Sequence, residues 1–193
     1  FPVFFGSALK IQGIEDLMDA IIDLSFIKEY PKEFGARVYK ISSDDQGNRL
    51  THVKITGGVL NAKDKIGADE KVDQIRLYNG KQFEMVQTAY PGMICALKGL
   101  NNYEVGQGLG FESDMTKPLL NAYMNYQLLL PEGVDALTMM RYCSVLAQED
   151  PQLQIEYDEQ TKQIFLRLMG SIQMEILQKE IEKRSKVKVG FTT

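Results

Sequence analysis

Turn-forming clusters recur at short intervals between about residues 25 and 113. They are Asp44-Asp45-Gln46-Gly47-Asn48, Gly57-Gly58, Asn61-Ala62-Lys63-Asp64, Asn79-Gly80, Pro91-Gly92 and Gly106-Gln107-Gly108. Gly, Asn and Asp supply the positive φ angles and side-chain-bonded conformations of tight turns, so the chain reverses at these points. The runs between them, Arg37 to Ile41, Leu50 to Thr56, Lys71 to Tyr78 and Ile94 to Leu97, are short and of β type. No helical periodicity of useful length interrupts them. Many short strands with close-set turns predict a small barrel or sandwich for this stretch.

Both flanks differ from it. Ahead of it, residues 1–24 read as strand, turn and helix. Pro2 to Phe5 is a short apolar run, Gly6-Ser7-Ala8 a turn, and Ile14, Leu17, Met18, Ile21 and Ile22 recur as one helix face. Gly13 stands before that helix, and Glu15 and Asp16 place negative charge in its first turn, where the helix dipole favours it. One α/β unit cannot cover both sides of its strand, so this piece is expected to be the last corner of a larger sheet.

Behind it, Leu120, Ala122, Met124, Tyr126 and Leu128 alternate with polar neighbours as a half-buried strand, ended by Pro131-Glu132-Gly133. Ala136, Met139, Met140, Cys143, Leu146 and Ala147 form a helical stripe that Asp150-Pro151 stops. Leu153, Ile155 and Tyr157, then Ile164, Leu166 and Leu168, predict two more strands around a turn at residues 158–162. Gly170-Ser171 opens a second helix with Met174, Leu177 and Ile181 on its apolar side, and Val187 and Val189 predict a last strand. The order βαββαβ is that of a ferredoxin-like fold, with two helices on one face of an antiparallel sheet. The predicted organisation is an α/β tail over 1–24, a β-barrel over 25–115 and a ferredoxin-like domain over 116–193.

Charge and chemistry narrow the function by exclusion. A net charge of −4 argues against a free-standing nucleic-acid binder, though not against local RNA contacts. The basic stretch of residues 179–188 is expected to be a solvated helix face. No apolar run approaches the roughly 18 residues of a membrane span, and residues 1–5 are too short for a signal-peptide core. Cys95 and Cys143 lie far apart inside apolar patterns and read as reduced core thiols.

Nucleophilic catalysis by Ser or Cys needs a base, most often histidine. The one histidine, His52, falls in the β run Leu50 to Ile55 and reads as a rim residue. No Gly-x-Ser-x-Gly elbow is present. One His and two distant Cys make no zinc site, and Asp114, Glu149 and Asp150 lack the spacing of a calcium loop. Gly106-Gln107-Gly108-Leu109-Gly110 has its third glycine one residue early for a dinucleotide fingerprint and no helix after it; it reads as a turn before a final strand. No Gly-x-x-x-x-Gly-Lys-Ser/Thr phosphate loop occurs. These residues predict binding or the transmission of shape, with no catalytic residue and no metal site.

Three segments, in order, resemble one family. Gly6-Ser7-Ala8-Leu9 resembles the fifth guanine-nucleotide motif of the translational GTPases, and residues 13–21 look like the last helix of their GTPase domain. Residues 36–41 and 48–60 are similar to the second domain of elongation factor G. Ala147-Gln148-Glu149-Asp150-Pro151 and residues 168–176 resemble its third domain. Arg49-Leu50-Thr51-His52 and Gln173-Met174-Glu175-Ile176 look closer to the tetracycline-resistance ribosomal protection proteins.

The resemblance implies the central fragment of a cytoplasmic GTPase that binds the ribosome between its subunits. Ser7, Ala8 and Leu9 would touch the guanine base in the full-length parent, which would bind GTP and Mg through motifs ahead of Phe1. The fragment itself would hold no cofactor and be inactive alone. Its partners would be small-subunit RNA and protein, its own GTPase domain and later domains beyond Thr193, with no membrane. Candidate RNA contacts are Arg49, Lys54, Lys183 and Arg184. Two alternatives stay open: a fragment of an elongation factor G-type translocase, and a stand-alone RNA- or protein-binding module. Against the second, Phe165 lies on a central-looking strand of the third segment, but the aromatic-rich signature of such RNA binders is absent.

Overall fold

The computed structural model describes residues 1–26, 28–67, 70–112, 114–116 and 122–192. The chain separates into two compact units, Phe1–Tyr30 and Pro31–Thr193. In the first, helix α1 (Ile14–Leu24) begins at Gly13, whose φ of 69° favours glycine. Glu15 and Asp16 lie in its first turn, as expected, yet no residue of its apolar face is buried. The strand expected over Pro2 to Phe5 is not formed. A strand needs a neighbour to take its backbone hydrogen bonds, and this unit offers none there.

The second unit begins with a β domain. Its strands are β1 (Gly35–Ser43), β2 (Arg49–Gly57), β3 (Leu60–Asn61), β4 (Lys65–Ile66), β5 (Glu70–Lys71), β6 (Gln74–Asn79), β7 (Gln82–Val86), β8 (Thr88–Ala89), β9 (Ile94–Lys98) and β10 (Gly108–Gly110). Six of them form one antiparallel sheet in the order β10-β1-β2-β9-β6-β7; β3 pairs with β8 and β4 with β5. The edges β10 and β7 do not pair, so among the described residues the expected barrel is an open sheet with two small side ladders. Two-residue strands are too short to carry the main ladder across that gap.

Alternation along the strands sets the core. Ala36, Val38 and Ile41 of β1, Val53 and Ile55 of β2, Ile75 of β6 and Leu97 of β9 pack together with Leu60, Val72, Leu100 and Leu109. Each of the valine, isoleucine and leucine side chains contributes about 1.5–3 kcal/mol on burial. Thr51 is also buried, and its hydroxyl donates to the Leu100 carbonyl at 3.0 Å. The hairpin between β1 and β2 is held by Asp44, whose carboxylate accepts the amides of Gln46 and Asn48 at 3.1 and 2.8 Å. Asp44 also pairs with Arg76 at 3.1 Å, the two side chains being 12% and 7% exposed. Burial opposes the Asp44 charge, but the Asn48, Arg76 and Gln46 donors outweigh it and hold the carboxyl below its usual range.

Two details differ from expectation. Strand β7 was not anticipated, because it is an edge strand exposed over almost its whole length and carries no alternating apolar signal. The glycine-rich stretch at 106–110 contains strand β10 itself rather than only a turn before it. A side chain at Gly108 would run into the Glu112 carbonyl, which accounts for glycine there.

The α+β domain follows with β11 (Met124–Leu129), α2 (Ala136–Glu149), β12 (Gln154–Asp158), β13 (Gln163–Leu168), α3 (Ser171–Ser185) and β14 (Gly190–Thr192). Its antiparallel sheet has the order β12-β13-β11-β14. The element order βαββαβ is the one the periodicities predict. Asp135 caps α2 by accepting the Thr138 amide at 2.9 Å and its hydroxyl at 2.7 Å. Met139, Cys143 and Leu146 of α2 and Leu177 and Ile181 of α3 cover Leu128, Ile164, Leu166 and Leu168 of the sheet. Of the strand expected from Leu120, Leu120 and Asn121 lie outside the described residues; the strand starts at Met124. The last strand lies at Gly190–Thr192, not at Val187 and Val189. Lys186 ends α3 in the left-handed region at φ 61°, and both valines then pack on the core as loop residues.

Cys95 and Cys143 are free and buried, as the sequence implied. Burial pushes their thiols up to about 12 and about 11. His52 sits part-buried with Nε2 2.8 Å from Ser42 Oγ. Burial, then the nearby Lys40 charge, drives its pKa down to about 4.

Because His52 is the only histidine, its titration can be isolated. The unfolded imidazole takes its proton near pH 6.5, the folded one near pH 4. Between those values the unfolded state binds more protons, so stability falls as pH drops from about 6.5 toward about 4. The urea midpoint should decline over that window more steeply than in His52→Gln. A ring-proton NMR titration centred near pH 6.5 would contradict the depressed pKa.

Candidate functional site at the junction of sheet and helix

In the first unit Ser7 and Gln12 bridge each other, the Ser7 amide donating to the Gln12 carbonyl at 3.0 Å and the Gln12 amide to the Ser7 carbonyl at 3.1 Å. Ile11 takes φ 53° to close the loop. Ala8 and Leu9 ride on its exposed outer side. Among the described residues their amides donate to no backbone acceptor, so the loop presents free N–H groups.

The four basic candidates divide into two kinds. Lys54 is exposed and makes no ion pair among the described residues. Lys183 is exposed and lies 3.8 Å from Glu180. Arg49 and Arg184 are instead drawn into contacts within the chain. Arg49, at the start of β2, donates to the Gln148 side chain of α2 and to the Tyr103 carbonyl. Its burial lowers its pKa, opposed by the charges of Glu70 and Glu104. Arg184 of α3 donates to both Glu149 carboxylate oxygens, at 3.1 and 2.6 Å, and this raises its pKa.

These contacts meet at the C-terminal end of α2. The helix has no basic residue in its last turn, where its dipole favours a cation. Arg49 from the sheet and Arg184 from α3 supply that charge from outside. Ser43 Oγ of β1 adds a hydrogen bond to Glu149 at 3.0 Å. Next door, Asp150 accepts from the Gln173 side chain at 2.7 Å, whose own carbonyl accepts the Met169 amide at 2.7 Å. The Arg49-Leu50-Thr51-His52 and Ala147-Gln148-Glu149-Asp150-Pro151 segments, 99 residues apart at Arg49 and Gln148, are thus brought together.

Among the described residues, clefts flank this junction, one of about 220 Å³ between α2 and α3 beside Glu149 and Arg184 and two on the side of the sheet. Of these two, the first, of about 330 Å³, lies between Ile41, Arg49 and Met115 on one side and Ala147, Gln148 and Pro151 on the other. The second, of about 380 Å³, runs past Arg37 and Tyr39 to Pro151 and Gln152. Arg37 closes the sheet edge here by pairing with Glu112 and with Asp114 at 2.6 Å, and by donating to Thr116 Oγ1 at 2.9 Å. Sequence reasoning had no sign of that network, because Glu112, Asp114 and Thr116 lie 75 or more residues from Arg37. Asp114, Glu149 and Asp150 are each engaged by a different partner. Among the described residues no group of three His, Cys, Asp or Glu could hold a metal ion. The arrangement can fasten one domain to the other; it has no nucleophile paired with a base.

Removing the guanidinium should loosen this fastening. Arg49→Ala leaves the Tyr103 carbonyl and the Gln148 side-chain oxygen without their donor, and should lower stability to urea by about 1 kcal/mol. Arg49→Lys should recover only part of the loss, since one ammonium cannot span both acceptors in the same geometry. An unchanged urea midpoint in Arg49→Ala would show that the contact carries no junction energy.

Known proteins match both domains. The family model for elongation factor G domain 2 matches residues 33–110, and that for elongation factor G domain III matches residues 132–193. The chain is 32% identical to the tetracycline resistance protein TetP of Clostridium perfringens over all of this chain and 31% of that protein. It is 27% identical to elongation factor G of Neorickettsia sennetsu over 97% of this chain and 31% of that protein. It therefore spans about a third of the length of these curated relatives. A crystal structure of a Thermus thermophilus protein superposes on 93% of the chain and 29% of its own with a TM-score of 0.74 at 18% identity, a likeness of fold. The chain belongs to the elongation factor G-like family of translational GTPases, carrying its domain 2 and domain III in that order.

Proposed function

We propose that this chain is the central part of a ribosome-binding translational GTPase of the tetracycline-resistance ribosomal protection type. In that protein it relays the nucleotide state of a GTPase domain to the small ribosomal subunit. The observation that carries the proposal is the junction at the end of α2. There Arg49 and Ser43 of the sheet domain meet Gln148 and Glu149 of the α+β domain through a few polar contacts rather than a large apolar surface. An interface built that way can repack, which a relay between domains requires.

In this proposal residues 1–24 are the strand, guanine-side loop and helix that end the GTPase domain. Residues 25–115 are its second, β domain and residues 116–193 its ferredoxin-like third domain. The unburied apolar face of α1 supports the first assignment, since it suits packing against a larger sheet. Ser7, Ala8 and Leu9 would line the guanine in the whole protein, in line with the Ala8 and Leu9 amides, which have no backbone acceptor among the described residues. GTP supplies the energy and Mg screens its phosphates when bound, but this chain has no phosphate loop to hold either. Lys54 and Lys183, exposed to solvent, are the stronger candidates for phosphate contacts on the ribosome. Arg49 and Arg184 act at the junction, where they set the packing that the lysines depend on. The place of action is the cytoplasm.

The protection class is favoured over a translocase by the higher identity to TetP. A drug-sensitive strain carrying the full-length parent should grow in tetracycline, and Arg49→Ala in that parent should weaken protection while leaving GTP binding intact. Rescue of an elongation factor G-depleted strain, with no gain of resistance, would favour the translocase instead. Micromolar or tighter GTP binding by the 193-residue chain alone would contradict the assignment of residues 1–24 as one corner of the pocket.

A further inference from the structure

The face of the large sheet that points away from the core carries a ribbon of rings. Tyr39 and His52 have ring centroids 6.0 Å apart, His52 and Tyr78 also 6.0 Å, and Tyr78 and Phe83 5.4 Å. They come from four strands, β1, β2, β6 and β7, although β9 lies between β2 and β6. The register explains how the ribbon crosses that strand. Position 96 on β9, opposite both His52 and Arg76, is alanine, whose side chain is too short to part the rings. Tyr39 falls at a register shift between Val38 and Lys40, so it is an extra residue re-aimed outward by a bulge. Arg76, fixed by Asp44, lies 4.4 Å from the Phe83 ring centroid and props it from behind.

The rings are open to solvent. Tyr39, Tyr78 and Phe83 are 46%, 39% and 46% exposed. Lys40, Lys54 and Lys98 belong to the cross-strand rows of this face, and none makes an ion pair among the described residues. The carboxylates that approach it are already taken, Asp44 by Arg76 and Glu112 and Asp114 by Arg37. In a chain of net charge −4, this is a local surplus of cations beside flat, exposed rings. Cations that track a phosphate chain and aromatic faces that stack successive bases are the two parts of a single-strand platform.

We propose that this ribbon is a stacking platform for unpaired RNA bases, with Tyr39, Tyr78 and Phe83 as the stacking rings and Lys40, Lys54 and Lys98 along the phosphates. The proposal deepens the ribosome-binding function above and rests on it: it names unstacked bases, rather than duplex backbone, as what the β domain grips. His52 braces the ribbon from within, hydrogen-bonded to Ser42.

The test uses the 193-residue chain, a fluorescein-labelled oligouridine of about 12 nucleotides, an RNA duplex of equal length, and purified small ribosomal subunits. The chain has no tryptophan, so tyrosine fluorescence quenched on binding reports stacking directly. The oligouridine should bind more tightly than the duplex. Tyr78→Ala with Phe83→Ala should weaken it by about tenfold or more, Tyr39→Ala by several-fold, while Tyr78→Phe keeps the ring and should bind as the parent does. Lys54→Ala should weaken binding and flatten its salt dependence. Urea midpoints of the alanine variants show whether they fold, and Tyr78→Phe against Tyr78→Ala keeps the result readable if one does not. Equal binding of parent and aromatic variants to both oligouridine and subunits would overturn the platform while leaving the ribosome-binding function standing. Failure of the parent chain to bind subunits, with ring-dependent oligouridine binding kept, would remove the ribosomal reading and leave the platform. Loss of subunit binding in the variants with no oligouridine binding by the parent would mark the ribbon as a protein contact and overturn the proposal.

Discussion

Along β2, Thr51, Val53 and Ile55 face the core while His52 and Lys54 face outward, and Arg49 stands at the strand's beginning. The period of two in a strand forces this division, and the other features of the β domain follow from it. The inward set closes the core with β1, β6 and β9. The outward set starts the ring ribbon and its cations. The first residue is left over at the edge, where it reaches α2. A one-residue slip of β2 would turn Val53 and Ile55 to solvent and bury Lys54, so the register is strongly fixed.

The junction at the end of α2 is polar where the two cores beside it are apolar. Glu149 receives Ser43 from one domain and Arg184 from its own, and Gln148 receives Arg49. Each contact alone is a surface-type interaction of modest strength, but together they surround one helix terminus whose dipole favours the cations. Such a joint is directional without being permanent. It specifies a preferred packing of the domains and can give it up without opening either apolar core.

The two units differ in how far they cover their own apolar side chains. No residue of the apolar face of α1 is buried, Pro2 and Phe4 covering it only in part, and the Ala8 and Leu9 amides of the loop before it have no backbone acceptor among the described residues. The β and α+β domains, by contrast, each own a closed set of buried side chains.

Local pattern alone settled the kind of element at most positions. The alternation at Leu50 to Thr56 and Ile164 to Leu168, the helical stripes through Met139 and Leu177, and the burial of two free thiols could all be read from the residues. So could the βαββαβ order, because each element there carries its own apolar period and its own stop signal. What the tertiary structure decided was partnership. Strand β7 has no apolar signal of its own and exists because β6 offers it a ladder. Residues 2–5 have the signal and form no strand because nothing offers them one. Val187 and Val189 pack on the core, but from a loop, since Lys186 turns the chain before the ladder resumes. The Arg37 network, the crossing of rings over Ala96 and the meeting of Arg49 with Gln148 all join residues far apart in sequence. A sequence period says which side of an element is apolar or charged; which other element that side will face depends on how every element packs at once, and only the folded chain holds that information.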